Sequence, residues 1–164
     1  MANVTGWAAG RLFSGESWNA AFNAADLNSL PNGSSVLSSV APFANGASLD
    51  QLMDVSLKLT IASSAIGANA SIAIWIALLQ EDGATLGDGL LAAGSQTASF
   101  TPAWTPIAPI PLYASTRTLL IGSEYGIAIP PGTFALILQN NSGFALAASG
   151  NACSIRTYNQ SLNN

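Results

Sequence analysis

From Ser34 onward, apolar and polar residues alternate with a period of two. In Val55-Ser56-Leu57-Lys58-Leu59-Thr60-Ile61 the apolar side chains fall on one face and the polar ones on the other. That is the pattern of a half-buried strand. From Ser71 to Leu79, Ile72, Ile74, Ile76 and Leu78 alternate with Ala73, Trp75, Ala77 and Leu79. Both faces of this segment are apolar, so it predicts a central strand covered on both sides. One side would meet the core. The other, carrying Trp75, Ala77 and Leu79, is a candidate subunit interface, with burial in the core as the alternative for Trp75.

Turn signals punctuate the remainder. Glu81-Asp82-Gly83 and Gly87-Asp88-Gly89 mark a loop. Strands are expected at 97–100 and 107–113, separated by a proline-rich turn and placed at sheet edges by Pro102, Pro106, Pro109 and Pro111. Residues 117–121 predict another strand, and 125–129 lead into the turn Pro130-Pro131-Gly132. Phe134, Leu136 and Leu138 alternate with Ala135 and Ile137. Asn140-Asn141-Ser142-Gly143 then turns the chain, with 144–148 expected to return antiparallel. Residues 153–158 form the closing strand. Eight to ten short strands at regular spacing predict an all-β fold, an antiparallel β-sandwich of jelly-roll type spanning 31–164.

Residues 1–30 break the rhythm. Trp7, Phe13, Trp18 and Phe22 show no alternation, and Ser17 is placed to cap a short helix running through Trp18, Phe22 and Ala25. The segment reads as an N-terminal arm that ends at the Leu30-Pro31-Asn32-Gly33 turn. Its aromatics and Arg11 belong to the types that dominate protein interfaces. Trp7, Arg11, Phe13, Trp18 and Phe22 are therefore candidate partner-binding residues; the alternative is that the aromatics fold back over one end of the sandwich.

Composition narrows the function. Charged residues are 7% of the 164, where about a quarter is usual. Lys58, Arg11, Arg117 and Arg156 are the only cations, and the net charge is −4. Four cations cannot form the patch that nucleic acid or an anionic membrane surface requires, so neither is an expected partner. A weakly charged surface suits faces covered by neighbouring proteins. The uncharged run 59–80 is interrupted by Ser63, Ser64, Gly67, Asn69 and Ser71, and reads as two strands and a loop rather than a membrane span. The opening Met-Ala-Asn-Val-Thr-Gly-Trp lacks the basic and apolar regions of a signal peptide.

Candidate chemistry is sparse. There is no histidine, which removes the commonest general base and the imidazole metal sites. Cys153 is the lone cysteine and, within an alternating run, reads as a small core residue. Asp50 and Asp54 lie four apart, and Glu81, Asp82 and Asp88 share one loop. Paired carboxylates serve glycosidases, and clustered ones can hold calcium. Asp and Gly are also ordinary turn formers, which is the reading preferred for the 81–89 loop. Trp104 sits among prolines, either packed on them or offered as a platform for a sugar. No catalytic residue, metal ligand or cofactor is assigned.

The strings LDQLMDVSLKLTI, LLQEDGATLGDG, IAIPPGTFALILQNNSGFALAASGN and IRTYN, which span about two thirds of the chain, resemble small jelly-roll structural proteins of tailed bacteriophages. That resemblance implies a virion structural protein, a capsid decoration (cement) protein on the head surface, made in the host cytoplasm. It implies the major capsid protein as partner and a homo-oligomer, with a trimer favoured. The competing expectation is a tail or fibre-tip β-sandwich that binds a host-surface glycan or protein.

Overall fold

The computed structural model describes residues 4–7, 18–38, 43–45, 50–62, 70–79, 105–107, 109–114, 119–158 and 160–163. Thirteen strands and one short helix lie among them: β1 (Val4–Trp7), β2 (Asn19–Ala20), α1 (Ala24–Leu27), β3 (Ser35–Leu37), β4 (Phe43–Ala44), β5 (Leu52–Thr60), β6 (Ser71–Leu78), β7 (Thr105–Pro106), β8 (Ile110–Pro111), β9 (Tyr113–Ala114), β10 (Leu119–Ala128), β11 (Thr133–Asn141), β12 (Ala152–Tyr158) and β13 (Gln160–Asn163).

The fold is an antiparallel, all-β sandwich. One sheet has the order β2-β12-β5-β10-β9; the other has β3-β11-β6-β7, with β4 beside β11 and β8 beside β6. Periodicity explains which face of each strand meets the core. Met53, Val55, Leu57 and Leu59 of β5, Ile72, Ile74 and Ile76 of β6, and Phe134, Leu136 and Leu138 of β11 point between the sheets and are buried. The pairings are nested along the chain. β1 pairs with β13, β2 with β12, β3 with β11, β5 with β10, and β6 with β7 and β8, so early strands pair with late ones.

The expected strands at 55–61, 71–79 and 153–158 are present as β5, β6 and β12. The run 59–80 contributes to two strands, and no helix among the described residues is long and apolar enough to cross a membrane. The prolines keep to edges: β7 and β8, which hold Pro106 and Pro111, border the six-stranded sheet. The expected strand at 97–100 lies outside the described residues.

Three expectations are corrected. The strand expected at 117–121 does not stop there: Leu119–Ala128 is one continuous strand. Gly122 lies within it, where a Cβ would be 2.9 Å from the carbonyl oxygen of Pro111, so glycine permits this close approach. Residues 144–148 do not return as a strand; Leu146 makes an isolated bridge to Ile61. The helix is only Ala24–Leu27, and Asn19–Ala20 is extended and paired with β12.

The arm boundary at residue 30 also shifts in meaning. Ala21, Phe22, Leu27 and Leu30 belong to the main core, so 18–30 packs as part of the sandwich. Burial of Phe22 stabilises more than helix propensity could over so short a segment. Val4–Trp7 pairs with Gln160–Asn163 as a separate two-stranded sheet.

The turn after β11 is organised around the Asn140 side chain, with Ser142 Oγ also within hydrogen-bond distance of the Phe144 carbonyl and Asn32 Oδ1 accepting from the Gly143 amide beside it. Asn140 is fully buried; its Nδ2 donates to the carbonyls of Leu30 (2.9 Å) and Phe144 (2.8 Å), and its Oδ1 accepts from Ser142 N (3.0 Å) and Oγ (2.6 Å). All the bonding capacity of the amide is used, which a buried polar group requires.

Candidate functional site, the outer face of the five-stranded sheet

The outward positions of β12, β5 and β10 fall into rows across the sheet. Ala152, Lys58 and Ile121 are in register in one row. The next row holds Ala20, Ser154, Ser56 and Ser123. The third pairs Arg156 with Asp54. Over β5 and β10, Ser56 and Ser123 thus lie between Lys58 and Ile121 on one side and Asp54 and Tyr125 on the other, forming a trench that continues toward Ser154 on β12. A groove of about 490 Å³ is lined by Ser56, Lys58, Ile121, Ser123, Glu124 and Tyr125, with Pro111 also in contact.

The third row is built around Asp54. It points away from the core yet is 2% exposed. Its Oδ2 accepts from Arg156 Nε at 2.8 Å and Nη2 at 2.7 Å. Its Oδ1 accepts from the Tyr158 hydroxyl at 2.8 Å and the Gly126 amide at 2.9 Å. Four donors meet a buried carboxylate, the condition under which a buried charge is tolerated. The Arg156 guanidinium also lies over the Trp18 ring, 4.8 Å from its centroid.

Asp54 stands opposite a β-bulge. The register of β10 on β5 slips between Glu124 and Ile127, which leaves Tyr125 and Gly126 facing Asp54. Gly126 has φ 69°, in the region that favours glycine. A bulge re-aims the side chains it carries, and Tyr125 here is 62% exposed. The network holding the bulge also raises the Tyr158 hydroxyl to about 12, through burial first and then its bond to Asp54, with Arg156 opposing.

Tyr125 therefore stands on one side of the groove, with Lys58 and the 45%-exposed Ile121 on the other, while Trp18 lies outside the groove's lining, on Arg156. No local sequence signal marks this arrangement. Asp54 and Arg156 meet only through the strand register, and the bulge was invisible because Gly126 reads as a turn residue.

The sequence-predicted residues are dispersed. Trp18 lies outside the groove's lining, stacked on Arg156. Phe22 is 2% exposed in the core, so it is not available to a partner and follows the fold-back alternative. Trp7 lies in β1, away from both sandwich sheets in pairing, and Arg11 and Phe13 lie outside the described residues. On the other sheet, Leu37, Ala77, Ala135 and Ile137 form a second apolar cluster, with Trp75 and Leu79 packed against it. Ala77 is 1% exposed in the single chain, so it has no surface left for a second copy; Trp75 and Leu79 retain part of theirs, and neighbouring Leu78 is 50% exposed.

The carboxylate candidates also resolve. Asp54 is committed to its four donors. Asp50 accepts from Thr157 Oγ1 at 2.6 Å, and its amide donates to Asn45 Oδ1 at 2.7 Å. Both acids fasten the start of β5 to its neighbours. Glu81, Asp82, Asp88 and Trp104 lie outside the described residues. Cys153 is 1% exposed in the core, and burial pushes its thiol up to about 12, as expected of a packing residue. Comparisons with protein-family models, curated proteins and solved structures find no match to this chain.

Proposed function

We propose that the chain is a virion structural protein, a capsid decoration protein that binds the major capsid protein on the outside of a phage head and bridges its subunits. It acts by binding rather than catalysis, and as a homo-oligomer, with a trimer favoured. The observation that carries this reading is the apolar layer on the outer face of the six-stranded sheet. A solvated antiparallel sheet alternates apolar-in with polar-out, whereas here Leu37, Ala77, Ala135 and Ile137 form a cluster on the outward side. The chain itself already buries these four, so the surface a partner can cover is that of Trp75 and Leu79, packed on the cluster and partly exposed. Leu78, 50% exposed, is in register with the core residue Phe134 and so falls on the other face of the strand from this cluster.

The nested pairing supports a jelly roll. Counting β2, β3, β5, β6, β7 with β8, β10, β11 and β12 as eight strands, the sheets read 1-8-3-6 and 2-7-4-5. That is the order produced when a long antiparallel hairpin wraps into a sandwich, an architecture common among viral capsid domains. The low charge of the chain fits contacts that change little with salt.

The test is cosedimentation with heads assembled from the cognate major capsid protein, alongside the solution mass. Saturable binding and a mass of three times the 16.6 kDa chain support the proposal. Leu79→Glu should weaken one or both, since it places a charge on the partly exposed apolar surface that a partner would cover. A chain that ignores heads and stays monomeric with or without them would overturn it.

A further inference from the structure

We infer that the trench across the five-stranded sheet is a binding site for a neutral oligosaccharide. The inference is independent of the apolar face on the other sheet, and each can fail alone.

The chemistry of the trench selects the ligand. Its floor is Ser154, Ser56 and Ser123, in register across three strands, with Ser123 exposed and the other two half-buried. Hydroxyls both donate and accept, as a sugar's hydroxyls do. Along one wall stands the exposed Tyr125, and the exposed Trp18 lies further along the same row, on Arg156. An aromatic face is electron-rich and attracts the polarised C–H face of a pyranose. The ring of Tyr125 is presented by the bulge, while Trp18 is fixed on Arg156.

The charges cancel. Lys58 and Glu124 both line the groove and sum to zero, so charge complementarity favours an uncharged ligand over a phosphate, a sulfated glycan or nucleic acid. The floor also argues against a protein occupant. Ser, Lys and Glu are types depleted from interface cores, and four of the groove's residues are of these types. A linear chain of sugars lies along a trench and presents hydroxyl edges to the floor and apolar faces to the wall.

The experiment uses the full chain and three probes: cellohexaose, chitohexaose and mannohexaose, each titrated by calorimetry and by perturbation of amide NMR signals. The expected result is weak saturable binding of at least one probe, with shifts centred on residues 56, 121–126 and 154. Tyr125→Ala should weaken it by about ten-fold, the loss of one aromatic contact. Tyr125→Phe should retain it, because the face is kept. Ser123→Phe, at an exposed position, should abolish it by filling the floor. Leu79→Glu, beside the apolar cluster of the opposite sheet, should leave it unchanged. No binding by any probe at about 10 mM, a ceiling below which even a weak site registers, would overturn the inference. So would binding that Tyr125→Ala and Ser123→Phe leave intact in a folded protein. Binding of an unrelated extended peptide to the same signals, with no sugar competing, would overturn it in favour of a protein ligand.

Discussion

Arg156 donates through both Nε and Nη2 to a single oxygen of Asp54, while its guanidinium plane covers Trp18. The pair joins β12 to β5 on the outside of the sheet and leaves the other carboxylate oxygen to fasten the β10 bulge. Removing one partner strands the other. Arg156→Ala should destabilise the protein by about 2–4 kcal/mol, because Asp54 remains buried without its counter-charge. Urea denaturation measures the loss. Arg156→Lys should recover only part of it, since an ammonium cannot reproduce the two donors or the stacking.

Asn140→Leu should be among the most damaging single changes. It removes donors to Leu30 and Phe144 and acceptors for Ser142, all within a buried turn. Unsatisfied buried partners cost about 1–3 kcal/mol each. A total above about 3 kcal/mol in thermal or urea unfolding is expected. A loss of less than about 1 kcal/mol would mean that the turn is held without Asn140.

Gly122→Ala should cost about 1–3 kcal/mol through overpacking. The added methyl meets the Pro111 carbonyl at 2.9 Å and the side chains of Ile110 and Leu112 at 3.1 and 3.2 Å. Backbone is the nearest neighbour, so relief requires the β8–β9 segment to move. A shift in amide signals of residues 110–112 would accompany the lower melting temperature.

Stability should fall on the alkaline side. Burial raises the Cys153 thiol from 9.0 to about 12, and burial with the Asp54 bond raises Tyr158 from 10.0 to about 12. Between these values the unfolded chain has lost protons that the native protein keeps. The contribution is therefore fully present below pH 9.0 and is lost as pH rises toward about 12. In Cys153→Ala the decline from this pair should begin only near 10.0, where unfolded Tyr158 ionises. Denaturation across a pH series distinguishes the two onsets.

Alternation made the centre of the fold legible. Val55, Leu57 and Leu59, and Phe134, Leu136 and Leu138, sit where a period of two puts them. The Pro130-Pro131-Gly132 and Asn140–Gly143 turns were equally plain, because those residues favour reversal for local reasons. Legibility failed where distant contacts decide. Ala-rich residues 20–25 look helical, yet Ala20 pairs with Ser154, Phe22 is buried and the helix begins only at Ala24. The need for glycine at 122 shows only once the approach of Pro111 is known. The trench is the extreme case: its serines come from three strands, and only register aligns them.

The nested pairing fixes when this protein can fold. Ala20 finds its partner at Ser154, and Val4 finds its own at Asn163. A ribosome releasing the chain from the N-terminal end cannot complete either pair until residues 154 and 163 have followed. β2 and β3 must wait with their edges open, and loop closure over such spans is slow. The sandwich therefore closes only once β12 has emerged, and its yield in a cell depends on keeping those waiting edges apart until that strand arrives.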